Sequence, residues 1–165
     1  VIATVQNLLV TLRGTDRYGA LVHFFRMVQE YQGNIENSRI TQFDNHFCGT
    51  LLISGRWDTI TRIEEAIPNL AIHADLLITS ERTEIPGSKL DCLPYQILFN
   101  NLDEPGLLDK ITDFFALQEI NIQDLTADTY TSEFGSRMVQ IQIKICVPSD
   151  VHIPSLREQF DILCY

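Results

Sequence analysis

Four cysteines in 165 residues are too few and too widely spaced for most of the chemistry cysteine brings. Cys48, Cys92, Cys146 and Cys164 include no pair two or three residues apart, which excludes a zinc knuckle and a C-x-x-C redox motif. Scattered in this way, three of them in apolar stretches, they read as reduced thiols of a cytoplasmic protein. Positive charge is also scarce: 12 Lys+Arg stand against 22 Asp+Glu, a formal net charge of −10, with no basic cluster anywhere. Such a surface repels phosphate backbones, so direct contact with DNA or RNA is not expected. No apolar run approaches the roughly 18 residues of a membrane span, and no signal-peptide pattern opens the chain. It starts at Val1 without Met, as a trimmed N-terminus would. The phosphate loop, G-x-S-x-G and G-x-G-x-x-G are missing. His23, His46, His73 and His152 fall in different predicted elements, with no partner at helical spacing, and read as surface or core histidines. Neither a metal nor a cofactor is expected.

What is present is a repeat. Asp16-Arg17-Tyr18-Gly19 matches Asp103-Glu104-Pro105-Gly106, 87 residues on, and Asn34-Ile35 matches Asn121-Ile122 at the same offset. Leu8, Val10 and Leu12 fall in that register onto Tyr95, Ile97 and Phe99. Three features sharing one offset mark a tandem duplication.

Each copy reads as one unit. Alternating Leu8, Val10 and Leu12 predict a strand with a buried face, broken by the D-x-x-G tetrapeptide. A helix follows, with Leu21, Phe25 and Val28 on one stripe beside Phe24 and Tyr31; Leu108, Ile111, Phe115 and Phe114 hold that place in copy two. Gly33 is placed to terminate the first helix, where Ile120 lacks glycine's tolerance of positive φ. Segments 35–43 and 122–130 predict second strands. Segment 47–54 and the alternating Val139, Ile141, Ile143, Ile145 and Val147 predict third strands. Second helices carry Ile60, Ile63 and Ile67, stopped by Pro68, and Ile153, Leu156, Phe160 and Leu163. Asp58 is the expected N-cap of the former, with Trp57 as a packing residue before it. A strand around 72–79 closes copy one; copy two shows no counterpart before Tyr165.

The order βαββαβ, with antiparallel pairing and helices on one face, predicts an α+β chain of two tandem ferredoxin-like modules, the second lacking its last strand. The expected boundaries are 4–80 and 94–165, joined by a linker at 81–93 that contains Pro86, Gly87 and Ser88.

A strand, a D-x-x-G turn, a helix and then N-I opening the next strand resembles the ACT domain, a small amino-acid-sensing module. In copy one, Asn34-Ile35-Glu36-Asn37-Ser38-Arg39 and Leu51-Leu52-Ile53-Ser54-Gly55-Arg56-Trp57, followed by Ile60 and Ile63-Glu64, resemble one branch, the glycine cleavage system transcriptional repressors. The resemblance implies a tandem ACT protein without its own DNA-binding domain, which restrains a LysR-type transcriptional activator until glycine or a similar small amino acid relieves the restraint. It also implies sites at module interfaces, where the turn of one module faces the second strand of another. Tyr18 stands where the family commonly has proline. Only copy one carries the branch-specific stretch, which leaves a structural role open for copy two.

The residues suit such a ligand. A glycine turn at a helix N-terminus offers backbone N–H groups and a favourable dipole to a carboxylate. Gly19 and Gly106 admit close approach. Asn34 and Asn121, each followed by Ile35 or Ile122, offer an acceptor to an ammonium and a donor to a carboxylate. Asp16 and Asp103 are candidates for the ammonium directly, within turns completed by Arg17, Tyr18, Glu104 and Pro105. Asp and Gly are also what any strand-to-helix turn uses. No catalytic residue is expected. An acylphosphatase would need phosphate-cradling glycines around Arg17 to work with Asn34, and copy two has Glu104 there. An RNA-binding module would need aromatics where the third strand of copy two has Gln140, Gln142 and Lys144. Association between chains is expected, since pairing modules covers sheet edges. Regulation of an enzyme or another protein is the alternative for a tandem ACT chain.

Overall fold

The computed structural model describes residues 4–15, 19–84 and 91–165. It divides into two compact units, 1–86 and 87–165. The first holds β1 (Gln6–Thr15), α1 (Ala20–Glu30), β2 (Asn34–Phe43), β3 (His46–Gly55), α2 (Trp57–Ala74) and β4 (Leu76–Thr83). All neighbours in its sheet are antiparallel, in the order β2-β3-β1-β4. Leu8, Val10, Leu12, Leu51 and Ile53 project from the central strands with no exposed surface and meet Phe24, Ile60 and Ile63 of the two helices. This is the predicted ferredoxin-like plan, with its core between the sheet and one helical layer.

The second unit holds β5 (Cys92–Leu102), α3 (Leu107–Leu117), β6 (Ile122–Thr131), β7 (Arg137–Pro148) and α4 (Ile153–Cys164). Its sheet, among the described residues, has three strands in the order β5-β7-β6. Thus β5, the repeat of central β1, is an edge strand. Its inward residues show it: Leu8 has no exposed surface, whereas its counterpart Tyr95 is 37% exposed and Ile97 and Phe99 are half-buried. In unit one β4 seals that side with Leu76 and Ile78. In unit two an apolar groove of about 570 Å³ remains between β5 and α4, floored by Phe115, Ile145, Val147 and Phe160.

Several local expectations are corrected. Pro68 does not stop α2; the helix runs to Ala74 with Pro68 on its exposed side. Ala66, Leu70 and Ala74 still pack inward, and that contact outweighs the missing N–H. Ile72 is therefore helical and 79% exposed, and the closing strand begins at Leu76. Gly33 is not the left-handed residue. That role falls to Gln32 (φ 61°) and, 87 residues on, Glu119 (φ 56°). Both helices end in the same bond pattern, with Gly33 N–H donating to Val28 O at 2.9 Å and Ile120 N–H to Phe115 O at 2.9 Å. Gly33 is small because of packing: a Cβ there would lie 2.8 Å from Ile63 Cδ1. In α3 it is Leu107 that packs inward while Leu108 is 40% exposed, the register set by Ala20 in α1. The N-cap of α2 is Arg56, with Asp58 in the first turn, and Trp57 is 62% exposed beneath the Arg82 guanidinium. Strand residues extend into the stretch read as linker, since β4 continues to Thr83 and β5 begins at Cys92.

The cysteines are not all reduced. Cys92 and Cys146 form a disulfide across β5 and β7, leaving Cys48 and Cys164 free. Their separation of 54 residues hid the pair, which only the strand register brings to a Cα–Cα distance of 5.4 Å.

Candidate functional site

Two glycines take the same unusual backbone. Gly19 (φ 82°, ψ 1°) and Gly106 (φ 85°, ψ 1°) are the N-caps of α1 and α3, and neither helix has a side-chain cap among the described residues. A Cβ at either would meet nothing within 4 Å among the described residues. The helix dipole favours an anion there, while the Val22 N–H is already bonded to Gly19 O at 3.2 Å. Asp16, Arg17 and Tyr18 lie outside the described residues. In the second turn the Asp103 N–H donates to Arg137 O, and its carboxylate accepts from Arg137 Nε. An ammonium at Asp103 would therefore share it with a guanidinium. Glu104 and Pro105 are exposed, and the Leu107 N–H closes the turn onto Glu104 O at 3.3 Å.

The N-I pairs occupy the other end of each sheet. Asn34 lies opposite Ser54 on β3, whereas the end of β1 at Thr15 lies opposite His46. Eight residues of β3 separate those positions, roughly 26 Å at the rise of an extended strand. Thr15 thus stands far from Asn34, and Arg17, which the acylphosphatase pairing needs, lies outside the described residues. In unit two Ile122 lies opposite Ile145 while Leu102 lies opposite Met138. The structure does not bring the glycine turn and the N-I pair of one module together.

Around Asn34 a polar group gathers that sequence reasoning did not single out. A bulge between Ile35 and Asn37 leaves Ile35 turned to the core and Glu36 beside Asn34. Asn34 Nδ2 donates to Glu36 Oε1 at 2.7 Å, and the buried Ser54 hydroxyl donates to the same oxygen. These bonds, Ser54's first, hold the Glu36 carboxyl below the usual glutamate range. Next along the row is Asn7 of β1, 8% exposed, whose Oδ1 is buried without a partner among the described residues. Glu36 and Ser54 belong to the branch-specific stretches, but their meeting depends on a bulge that composition does not announce.

Copy two repeats the bulge, between Ile122 and Asp124, without the polar group. The register places Gln123 for Glu36, Cys146 for Ser54 and Pro94 for Asn7. Asn121 is exposed, just ahead of β6, and Ile122 packs against the core. The two halves have diverged at this end, whereas Gly19 and Gly106 keep the same backbone conformation. No group of three or more His, Cys, Asp or Glu among the described residues is arranged to hold a metal. His152 caps α4, accepting from the Ser155 N–H at 3.4 Å.

A duplicated ferredoxin-like fold with glycine-capped first helices is that of a tandem regulatory module, and the ACT-domain profile matches residues 6–81. The chain is 30% identical, over 99% of its length and 86% of the relative's, to the glycine cleavage system transcriptional repressor of Escherichia coli K12, and equally to that of Shigella flexneri. A crystal structure assigned to such a repressor superposes with a TM-score of 0.76 at 32% identity, covering 97% of this chain and 91% of that one. A protein from Galdieria sulphuraria shares the fold at the same TM-score and 20% identity, with 97% and 92% covered. The chain belongs to the glycine cleavage system transcriptional repressor family, and it is a regulatory ACT-domain protein.

Proposed function

We propose that the chain is a non-catalytic, cytoplasmic regulator that responds to a small amino acid, glycine first, and controls transcription indirectly by binding a LysR-type activator. The match to named repressors across nearly the whole chain carries this reading. The net charge of −10 supports an indirect route, since a surface of that sign disfavours phosphate. The ligand carboxylate would take the backbone N–H groups beside Gly19 or Gly106. Its ammonium would take Asn34 and Glu36 of another module, or Asn121 where copy two serves. The position of the two motifs at opposite ends of one sheet supports this division. The ligand shifts docking on the activator only as far as its affinity differs between free and docked forms.

Thermal unfolding with a panel of amino acids tests the reading. A ligand at about 100 times its dissociation constant adds roughly 2.7 kcal/mol to the folded state. A rise in Tm with glycine that is lost in Asn34→Ala and in Gly19→Val supports a sensor. No rise with any amino acid removes it. Capture of an enzyme rather than an activator by the untagged chain would favour the alternative, a tandem ACT regulator of another protein.

A further inference from the structure

The Cys92–Cys146 disulfide stands where the sheet of unit two is narrowest. Pairing of β6 with β7 begins at Ile122 opposite Ile145, so among the described residues only β5 is paired with β7 beyond Ile145. The outer edge of β5 has no strand partner among the described residues. Cys92-Leu93-Pro94 and Cys146-Val147-Pro148 therefore form a two-stranded tip. Two of its six residues are prolines, which bring no N–H to any ladder. The bond runs diagonally, since Cys92 lies opposite Pro148 and Cys146 opposite Pro94. Gln142, Lys144 and Cys146 alternate with the buried Ile141, Ile143, Ile145 and Val147, so the sulfurs lie on the sheet face away from the helices, and both cysteines are part-exposed. Among the described residues of this unit, the helices lie on the opposite face of the sheet.

The position is pointed. Cys146 takes the register place that Ser54 holds in copy one, beside the N-I pair. There the Ser54 hydroxyl fastens Glu36; here a covalent bond fastens the strand that opens the unit. Disulfides in a reducing compartment are usually transient ones, and an exposed bond on a frayed tip has the access that exchange requires.

We propose that Cys92–Cys146 is a thiol-responsive clasp, closed or opened by glutathione, that sets whether the Asn121 end of the second sheet is pinned. Opening consumes two glutathione thiols: one thiolate attacks a cysteine sulfur to give a mixed disulfide and release the other cysteine as a thiol. The second thiolate attacks the glutathione sulfur of that mixed disulfide, forming the S–S bond of oxidised glutathione and releasing the remaining cysteine, so that two cysteine thiols and one oxidised glutathione are left. Closing runs the same steps backwards. The proposal stands independently of which amino acid the protein binds.

The test uses the full chain in glutathione mixtures, with alkylation of free thiols followed by mass spectrometry. In oxidised glutathione two thiols react, and a cross-linked peptide pair holds Cys92 and Cys146. In millimolar reduced glutathione all four react while the protein stays folded. Amide exchange at 93–95 and 145–147 rises at least tenfold on reduction, and Cys92→Ser and Cys146→Ser show the fast rate in either mixture. The wild-type reduction experiment alone decides the matter if a serine variant fails to fold. Four reactive thiols in oxidised glutathione would overturn the proposal. So would a bond that resists reduced glutathione until the protein unfolds, or exchange that ignores its state.

Discussion

Replacing Gly106 by alanine separates backbone strain from crowding, because only one of the two is present at that turn. The residue sits at φ 85°, and a Cβ there meets no atom within 4 Å. The left-handed conformation costs an L side chain about 1–2 kcal/mol, and alanine's stiffening of the unfolded chain does not compensate at such a site. For a unit of this size each kcal/mol moves Tm by about 4–8 °C, so Gly106→Ala should lower the unfolding of the second unit by about 4–15 °C. Asparagine tolerates the left-handed region and should lose half as much or less; valine should lose more than alanine. The same order should hold at Gly19, whose φ is 82° and where a Cβ would be clear of the described residues. Urea denaturation with amide exchange in α1 and α3 reports each unit separately. A wild-type midpoint for Gly106→Ala, or asparagine costing more than alanine, would refute the reasoning.

Gly33 is the opposite case. A Cβ there would lie 2.8 Å from Ile63 Cδ1, 3.1 Å from Val28 Cγ1 and 3.2 Å from Ile53 Cγ2, all in the core, so Gly33→Ala should cost about 1–3 kcal/mol by overpacking. Adding Ile63→Val should recover part of that in urea titrations; no recovery would count against crowding as the cause. Phe160 packs on Phe99, Phe114 and Phe115 beside an open groove, whereas Phe24 is sealed, so Phe160→Ala should cost about 3 kcal/mol and Phe24→Ala about 4–5. Chemical denaturation of both variants checks the order. Glu36 titrates below the usual glutamate range, so its bonds stabilise the fold above the unfolded value and are lost as pH falls through the folded one. Ser54→Ala should move the Glu36 titration upwards in carboxyl-carbon NMR and flatten the acid dependence of the urea midpoint; an unmoved titration would deny the bond.

The duplication, the strand faces and both glycine turns were legible because they are patterns of sequence alone. Leu8, Val10 and Leu12 alternate, and their register mates stand 87 residues away. What sequence missed depends on register between strands. Glu36 meets Ser54 only because a bulge turns it, and Cys92 meets Cys146 only because β5 lies against β7. Pro68 and Gly33 misled for a related reason, since each is a local signal overruled by tertiary contact. Pro68 sits on the exposed side of a helix held by Ala66, Leu70 and Ala74, and Gly33 is small for Ile63 rather than for its own φ. Tyr95 matched Leu8 by offset, but an offset does not state whether a strand ends in the middle of a sheet or at its edge.

The placement of the glycine turn and the N-I pair at opposite ends of one sheet has a thermodynamic consequence. Under the proposed sensing role, a ligand that needs both motifs is not served by one module alone, so its binding curve would carry the stoichiometry of a second. If the modules belong to one chain, half-saturation is indifferent to how dilute the protein is. If they belong to two chains, the apparent affinity falls on dilution, and the ligand in turn draws chains together. Occupancy would then report the abundance of the regulator as well as that of the amino acid.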